Sequence, residues 1–240
     1  MINERRLVDL FLKYVQIDSE SRKEENFREV LEQDLRELGM EVTADEAGNL
    51  FFALDGDEKA EPLLFTAHMD TVVPGQSIRP VMENGVIKSG GDTVLGGDDK
   101  SGIAAIVEAI RVMKEEKIPH RRVEVLFTVE EEIGLNGSRA ADLGQVRSRY
   151  SIAMDGCGPM DEIVVNGAGQ ANVEIEITGV AAHAGNSPEK GVSAVIAAAD
   201  AVSAMKLLKV DEETTANIGT VTANSPANIV CSHIRMLGEV

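Results

Sequence analysis

The sequence has 240 residues, 43% of them hydrophobic, which is enough for one core or for one core with a smaller one beside it. Its 41 acidic residues outnumber 23 basic ones, and the resulting net charge of −18 argues against nucleic acid or an anionic membrane as a partner. We expect a soluble cytoplasmic protein, because no apolar run approaches the roughly 18 residues of a membrane span and the two cysteines, Cys157 and Cys231, lack disulfide-framework spacing.

The first part of the chain alternates predicted helices with apolar strands. Asn3 can cap a first helix, and a second helix ends near Gly39. Strands follow at 40–44, at 49–54 and in PLLFTAHMD. A glycine turn then begins a helix in GGDDKSGIAAIVEAIRVMKEEK, and RRVEVLFTV and YSIAMD predict two more strands. Apolar strands with helical crossovers predict an α/β fold, in which ligands bind outside the carboxyl ends of the strands.

The pattern changes after residue 166. QANVEIEITGV alternates polar and apolar residues, GVSAVIAAADAVSAMKLL predicts a helix, and ANIGTVTA and NIVCSHIRMLGEV predict two more strands. This β–α–β–β order indicates a small α+β module. We therefore divide the chain into residues 1–166 and residues 167–240, with the glycines of NGAGQ at the boundary.

Acidic and histidine residues collect where the strands of the first part end. They are His68, Asp70, Asp98, Asp99, the run Glu130 to Glu132, and Asp155. So many carboxylates in one crevice would repel one another unless cations lay among them. Oxygen and imidazole ligands without thiolate suit zinc, manganese or cobalt. His68 and Asp70 face the same side of a strand, so Asp70 can also orient the imidazole ring.

Each of these segments has a simpler interpretation when it is taken alone. A single histidine at a strand end is often structural, and Asp98 with Asp99 could cap the following helix. A run of three glutamates is usually a solvated surface, and Asp155 before Gly156 is typical of a turn. The coincidence of four such segments at successive strand ends favours one shared site.

Five motifs in this order resemble one known family. They are AHMDT, GGDDKSG, TVEEEIG, AMDG and GVAAHAG, and the resemblance covers nearly the whole chain. The set is similar to the cocatalytic zinc exopeptidases and deacylases, which include peptidase T, glutamate carboxypeptidase, aminoacylase and succinyl-diaminopimelate desuccinylase. The HMDT, DDKSGIAA, EEIG and MDG forms most resemble peptidase T and tripeptidase-like relatives.

The resemblance implies a fold and a set of metal ligands. We expect a mixed sheet with helices on both faces over residues 1–166, as the N-terminal part of a catalytic domain. Residues 167–240 would be part of a ferredoxin-like lid and dimerisation domain. His68 and Asp155 would bind one metal ion, Glu132 would help to bind a second, and Asp98 would bridge them. Zinc is the expected metal, with manganese or cobalt as alternatives, and the Asp98–Asp99 peptide would be cis.

The resemblance also implies a reaction. Glu131 would be the general base that takes a proton from a metal-bridging water, and Asp70 would orient His68. His183 in GVAAHAG matches a family histidine that hydrogen-bonds the developing oxyanion, often across a homodimer. The expected activity is hydrolysis of amide bonds in short peptides, as in tripeptide aminopeptidases. Carboxypeptidase or N-acyl amino acid deacylase activity remains an alternative.

The sequence departs from the family pattern at its end. The family has a second histidine ligand late in the chain, after the small domain, whereas this sequence ends at Val240 in a predicted strand of that domain. His233 lies on this strand and matches no ligand motif. We therefore expect a C-terminally truncated form with an incomplete second metal site, and an inactive metal-binding, dimerising fragment is the alternative to an active enzyme.

Overall fold

The structure is a computed structural model that describes residues 2–156, 158–159, 162–167 and 169–240; Cys157 lies outside the described residues. The chain forms two compact units, Met1–Glu162 and Ile163–Val240. Each unit is considered by itself below. Within the described residues, the helices are all too short or too polar to cross a lipid bilayer.

In its described residues, the first unit contains four α-helices, a short 3-10 helix (Leu143–Gln145) and seven strands. The helices are α1 (Glu4–Val15), α2 (Glu25–Glu37), α3 (Gly97–Glu115) and α4 (Asn136–Ala140). The strands are β1 (Thr43–Ala44), β2 (Leu50–Leu54), β3 (Leu63–His68), β4 (Pro80–Glu83), β5 (Val86–Ser89), β6 (Val123–Thr128) and β7 (Ser151–Ala153). The predicted strand at 40–44 is therefore wrong in its first three residues, and the other predicted elements of this part are confirmed with shorter ends.

Five of these strands form one mixed sheet, in the order β1-β2-β6-β3-β7. Strand β3 lies parallel to β6 on one side and to β7 on the other, whereas β2 is antiparallel to β6. The carboxyl ends of β6, β3 and β7 therefore meet at the same edge of the sheet. This edge is where ligands bind in sheets of this kind.

One apolar core joins the sheet to its helices. Strand β6 is buried at all six positions, and α3 contacts both β3 and α1. The buried side chains of the helices recur at helical spacing and include Tyr14, Phe27, Leu31, Leu35, Ile103, Val107 and Ile110. This spacing is the pattern from which the helices are predicted.

The ends of the helices follow the expected capping chemistry. The side chain of Asn3 accepts a hydrogen bond from the backbone N–H of Arg6 at 3.1 Å, as predicted for the cap of α1. Gly39 follows α2 with a φ of +71°, the left-handed conformation that favours glycine after a helix. The Asp98–Asp99 peptide is cis, as the family resemblance implies.

The antiparallel hairpin of β4 and β5 is not among the predicted elements. Its turn consists of Asn84 and Gly85, which have φ values of +53° and +79°. Asn-Gly between short apolar runs favours a hairpin turn with two left-handed residues, so the sequence did contain a local indication of this hairpin.

The second unit is a four-stranded antiparallel sheet with one helix. It contains β8 (Asn172–Thr178), α5 (Ala194–Ala204), β9 (Leu208–Lys209), β10 (Thr215–Thr222) and β11 (His233–Glu239), with the strand order β8-β11-β10-β9. Helix α5 packs on β8 and β11, and the small core includes Ala194, Ala198, Ile234 and Met236. The predicted β–α–β–β order is confirmed, with β9 as a short additional strand.

Candidate metal centre

The carboxyl edge of the first sheet brings together the side chains that the motifs single out. His68 is the last residue of β3, Glu131 and Glu132 follow the end of β6, and Asp155 follows β7. Asp98 reaches the same place from the start of α3, since His68 Nε2 lies 3.0 Å from Asp98 Oδ1. The same nitrogen lies 4.0 Å from Glu131 Oε2 and 3.9 Å from Asp155 Oδ2.

His68 is fixed through the backbone and the side chain of Asp70. Its Nδ1 lies 2.9 Å from the carbonyl oxygen of Asp70, which can only accept, so Nδ1 carries the proton. The Asp70 carboxylate is also near this nitrogen, at 3.3 Å. An imidazole must be neutral to bind a metal ion, and in that form the lone pair of Nε2 faces the carboxylates.

Asp70 also connects His68 to the segment that carries the glutamates. Its side chain is fully buried and accepts hydrogen bonds from the backbone N–H groups of Glu131, at 2.9 Å, and Glu132, at 3.2 Å. The hydroxyl of Ser21 donates a third hydrogen bond at 2.7 Å. The Asp70 carboxylate thus orients the imidazole of His68 and also holds the backbone of Glu131 and Glu132.

Asp98 and Asp99 have different surroundings although they are adjacent. Both have non-helical backbone angles, so regular helix begins after them. The Asp99 side chain is buried, and its Oδ1 accepts from the N–H of Gly102 at 3.2 Å, as a helix cap does. The Asp98 side chain is 70% exposed and contacts His68 instead. The capping interpretation therefore applies to Asp99, and Asp98 is available as a ligand.

The pKa of His68 reflects the concentration of negative charge. Burial by itself would lower this pKa, but hydrogen bonds with Asp70 and Asp98 and the charges of neighbouring acids outweigh it and raise the pKa to about 10. The carboxylates around the imidazole ring therefore favour positive charge at this position.

The acids themselves are harder to ionise than usual. Burial, followed by the negative charges of the neighbouring acids, raises the pKa of Glu131, Glu132 and Asp155, although His68 opposes the shift. The same causes raise the pKa of Asp99 to about 7, and its Oδ2 atom is buried without a hydrogen-bond partner. A bound divalent cation would lower these pKa values again, because it favours the charged form of the carboxylates.

The donor set and its spacing fit a small divalent ion. Two groups could each place three ligand atoms within 4.8 Å of one another: His68 with Glu131 and Asp155, and His68 with Asp98 and Glu132. Ligands at 2.0–2.1 Å in a tetrahedral arrangement lie about 3.3 Å apart. The distances from His68 Nε2, 3.0 Å to Asp98 and 3.9 Å to Asp155, lie on either side of this value. Both groups use His68, so its single Nε2 lone pair can serve only one of two ions at a time.

His183 lies in the second unit, in the exposed segment that precedes α5. Its Nδ1 is 3.1 Å from the backbone N–H of Gly185 and 3.2 Å from that of Asn186, and both of these groups donate to it. Nδ1 is therefore the acceptor nitrogen, and in the neutral ring Nε2 carries the hydrogen. His183 can thus donate one hydrogen bond from Nε2.

Several buried or partly buried polar residues near the site were absent from the predictions. Ser21 donates to Asp70, Glu24 accepts from the backbone of Glu130, and Asn49 accepts from that of Val129. Lys100 is fully buried and donates to the carbonyl of Ile17 at 2.6 Å. Each partner is far away in the sequence, and no local pattern indicates these contacts.

Two family models match the chain. The model of peptidase family M28 matches residues 49–203, and the model of a peptidase dimerisation domain matches residues 167–240.

Among curated proteins, the chain is 45% identical over 247 residues to the uncharacterized protein YqjE of Bacillus subtilis (strain 168), covering 100% of this chain and 67% of that protein. It is 30% identical over 239 residues to peptidase T of Listeria monocytogenes serotype 4a, covering 80% of this chain and 58% of that protein.

Two solved structures are similar over essentially the whole chain. Aminopeptidase PepT from Bacillus cereus ATCC 10987 has a TM-score of 0.93 and 44% identity, covering 99% of this chain and 66% of its own. A tripeptidase from Staphylococcus aureus subsp. aureus Mu50 has a TM-score of 0.89 and 38% identity, covering 100% of this chain and 66% of its own. The chain thus spans 58% to 67% of the length of these relatives.

Proposed function

Because the chain belongs to the peptidase T-like family of cocatalytic metallopeptidases, we propose that it contributes the principal catalytic residues for metal-dependent hydrolysis of short peptides. The expected substrate is a tripeptide that loses its N-terminal residue. The observation that carries the proposal is the convergence of His68, Asp98, Glu131, Glu132 and Asp155 at the carboxyl ends of three parallel strands.

His68, Asp98, Glu132 and Asp155 would hold the divalent ions, with zinc as the expected metal and manganese or cobalt as alternatives. When bound, the ions supply a polarised substrate carbonyl and a water of lowered pKa. His68 is the single histidine of both ligand groups. We therefore propose that this chain binds one ion tightly and a second one more weakly.

Glu131 is the proposed general base. Its carboxylate lies at the site, 4.0 Å from His68 Nε2, while its backbone N–H is held by Asp70. Burial raises the pKa of Glu131, and the charges of Asp155, Asp70 and Asp98 add to this increase. A carboxylate of raised pKa is suited to accept a proton from water and to donate it to the departing amine.

His183 and the second unit have a proposed role in substrate binding and assembly. The Nε2–H of His183 would donate to the oxygen that becomes negative during attack, because Nδ1 already accepts two backbone hydrogen bonds. The match of residues 167–240 to a peptidase dimerisation domain supports a homodimer formed through this unit. We further propose that the protein acts in the cytoplasm.

The test compares Glu131→Gln with Glu130→Gln. Glu130 is the matched control, since its side chain contacts Asn136 and Arg22 and belongs to neither ligand group. Metal content and hydrolysis are measured with free tripeptides and with N-acyl amino acids. Glu131→Gln should retain metal and lose hydrolysis by a factor of at least about 100, whereas Glu130→Gln should retain both.

Four outcomes would contradict parts of this proposal. Loss of metal in Glu131→Gln would make Glu131 a ligand, and preference for N-acyl amino acids would make the protein a deacylase. Failure of the 240-residue chain to bind divalent metal, or metal binding without hydrolysis of either substrate class, would contradict the proposed activity for this chain.

A further inference from the structure

Four successive backbone N–H groups at the end of β6 donate to side chains instead of to a neighbouring strand. Val129 donates to Asn49 Oδ1 at 3.0 Å and Glu130 to Glu24 Oε1 at 3.1 Å. Glu131 and Glu132 donate to the two oxygens of Asp70. The three acceptor residues, which come from separate parts of the chain, are at least 95% buried. Buried polar groups are costly unless they are hydrogen-bonded, so these contacts define the path of this backbone.

Asn49 contacts both ends of the loop formed by residues 129–137, here called the glutamate loop. Its Nδ2 donates to the carbonyl of Gly137 at 2.9 Å, while its Oδ1 accepts from Val129 at the other end. Nδ2 also donates to Asp45 Oδ2 at 2.8 Å, and this contact fixes the orientation of the amide. The side chain of Asn49 is thus a bridge that closes the glutamate loop.

Gly137 makes this closure possible because the two ends of the loop approach very closely. The N–H of Gly137 donates to the carbonyl of Val129 at 3.1 Å. A Cβ atom at residue 137 would lie 2.1 Å from that carbonyl oxygen and 2.7 Å from Asn49 Oδ1. Only glycine fits at this contact, so the geometry of the loop ends is narrowly defined.

Glu24 holds the residue at which the chain turns. Glu130 has a φ of +51°, in the left-handed region that non-glycine residues adopt only at a cost of about 1 kcal/mol or more. Its N–H donates to Glu24, and its side chain accepts from Asn136 Nδ2 at 3.0 Å. The direction of Glu131 and Glu132 depends on this backbone turn, because they follow Glu130 directly.

We propose that Asn49 and Glu24 are positioning residues that hold the glutamate loop so that Glu131 and Glu132 face His68 and Asp98. This inference rests on the proposed function, because the two glutamates that are positioned are the proposed base, Glu131, and a proposed metal ligand, Glu132. Both residues act through the backbone, and neither belongs to a candidate ligand group. They differ in this respect from Asp70, which contacts His68 as well as the loop.

The test uses alanine variants with a conservative variant and a control. Glu24→Ala and Asn49→Ala each remove an acceptor, whereas Glu24→Gln retains a carbonyl oxygen for the N–H of Glu130. Glu25→Ala is the matched control, because Glu25 is the exposed neighbour of Glu24 at the start of α2. All variants are made in the 240-residue chain, and thermal unfolding identifies those that fold.

Two measurements are made on each folded variant. The first is amide hydrogen exchange in residues 129–132 of the metal-free protein, with β6 as the internal reference. The alanine variants should exchange roughly tenfold faster there, with β6 unchanged. The second is the affinity for Co²⁺, followed by its visible absorption, which should fall by roughly 10- to 100-fold. Glu24→Gln and Glu25→Ala should remain within about threefold of the unsubstituted chain in both measurements.

Unchanged exchange in the alanine variants would overturn the inference, and so would faster exchange with unchanged Co²⁺ affinity. If the unsubstituted chain binds no Co²⁺, the proposed function fails, and hydrogen exchange alone decides whether the two residues hold the loop. If the alanine variants do not fold, Asn49→Asp replaces them. It retains an acceptor for Val129 and loses the hydrogen bonds that Asn49 Nδ2 donates to the carbonyl of Gly137 and to Asp45 Oδ2. Faster exchange at residues 129–137 therefore supports the inference, and unchanged exchange overturns it.

Discussion

The two units of the chain differ in how they treat polar side chains. All the buried polar residues that the structure describes lie in the first unit: Ser19, Glu20, Glu24, Asn49, His68, Asp70, Thr71, Asp99, Lys100, Glu108, Glu124 and Thr128. In the second unit, polar side chains such as Glu174 and Arg235 form exposed pairs on the sheet. Burying a polar group costs free energy unless hydrogen bonds compensate for it. The first unit therefore buries polar side chains behind its candidate metal site, whereas the described part of the second unit keeps its polar side chains at the surface.

Removal of Asp70 should have the largest effect of any single change. Asp70→Ala leaves the hydroxyl of Ser21 and the N–H groups of Glu131 and Glu132 without their acceptor. We expect a loss of about 3 to 5 kcal/mol in the free energy of unfolding, together with loss of tight metal binding. Urea unfolding and Co²⁺ titration measure the two effects. Asp92→Ala, at an exposed aspartate, is the control. An Asp70→Ala variant with normal stability and normal metal affinity would show that the buried polar side chains of the first unit do not have the importance given to them here.

Glu124 tests whether a buried acid away from the candidate metal site contributes to stability without affecting metal binding. Its carboxylate is fully buried in β6 and accepts from Arg122 Nε, from Ser148 Oγ and from the backbone N–H of Arg147. Glu124→Gln should destabilise the first unit by about 2 to 4 kcal/mol, because it removes the charge and two acceptor positions. Metal affinity should change little, since Glu124 is in neither ligand group. A large loss of metal affinity without a loss of stability would contradict this separation.

The pH dependence of the Glu124 effect has a definite sign. Burial by itself would raise the pKa of Glu124, but hydrogen bonds from Arg122, Ser148 and Arg147 outweigh it and hold the pKa below its usual value. A lowered pKa in the folded state stabilises the protein above the ordinary glutamate pKa of about 4.3, and this contribution is lost as pH falls through the lowered value. The difference in stability between the unsubstituted chain and Glu124→Gln should therefore shrink at acid pH, as urea titrations at several pH values would show.

Divalent metal should stabilise the first unit alone. Binding only to the folded state adds about 2.7 kcal/mol when free metal is 100 times the dissociation constant. Hydrogen exchange with and without a chelator should therefore slow in β3 and β6 and stay unchanged in β11. Equal slowing of exchange in both units would indicate non-specific metal binding to the many acidic residues. His68→Ala is the control, because it removes a residue of both candidate ligand groups.

The sequence predicted the parts of the site that depend on local order. The positions of the strand ends predicted that the segments with His68, Asp98, the glutamate run and Asp155 would meet at one edge, and the structure brings these side chains together. The choice of Asp98, Glu131 and Glu132 within these segments came from the family resemblance and stays a prediction. The different roles of Asp98 and Asp99 were predictable from the family resemblance but not from the two residues themselves. They are the same residue type, and only the packing of α3 assigns Asp99 to capping.

The hydrogen bonds that hold the glutamate loop were not predicted, for a different reason. Asn49 and Val129 are 80 residues apart, and Glu24 and Glu130 are 106 apart. Such contacts are created when separate elements pack, and no periodicity along the chain records them. The hairpin of β4 and β5 is the opposite case, because its Asn84–Gly85 turn was a local indication that the predictions left out.

The smallest effect is expected at the exposed pair of Glu174 and Arg235 in the second unit. The two side chains form a hydrogen bond across neighbouring strands, and each is about half exposed. Hydrogen bonding from Arg235 lowers the pKa of Glu174, but water screens such a pair and leaves it with little effect on folding. Glu174→Gln should therefore leave the urea midpoint unchanged within error, in contrast to Glu124→Gln. A shift as large as that of Glu124→Gln would mean that the pair is buried in an assembly of chains, and measurement at several protein concentrations would reveal this.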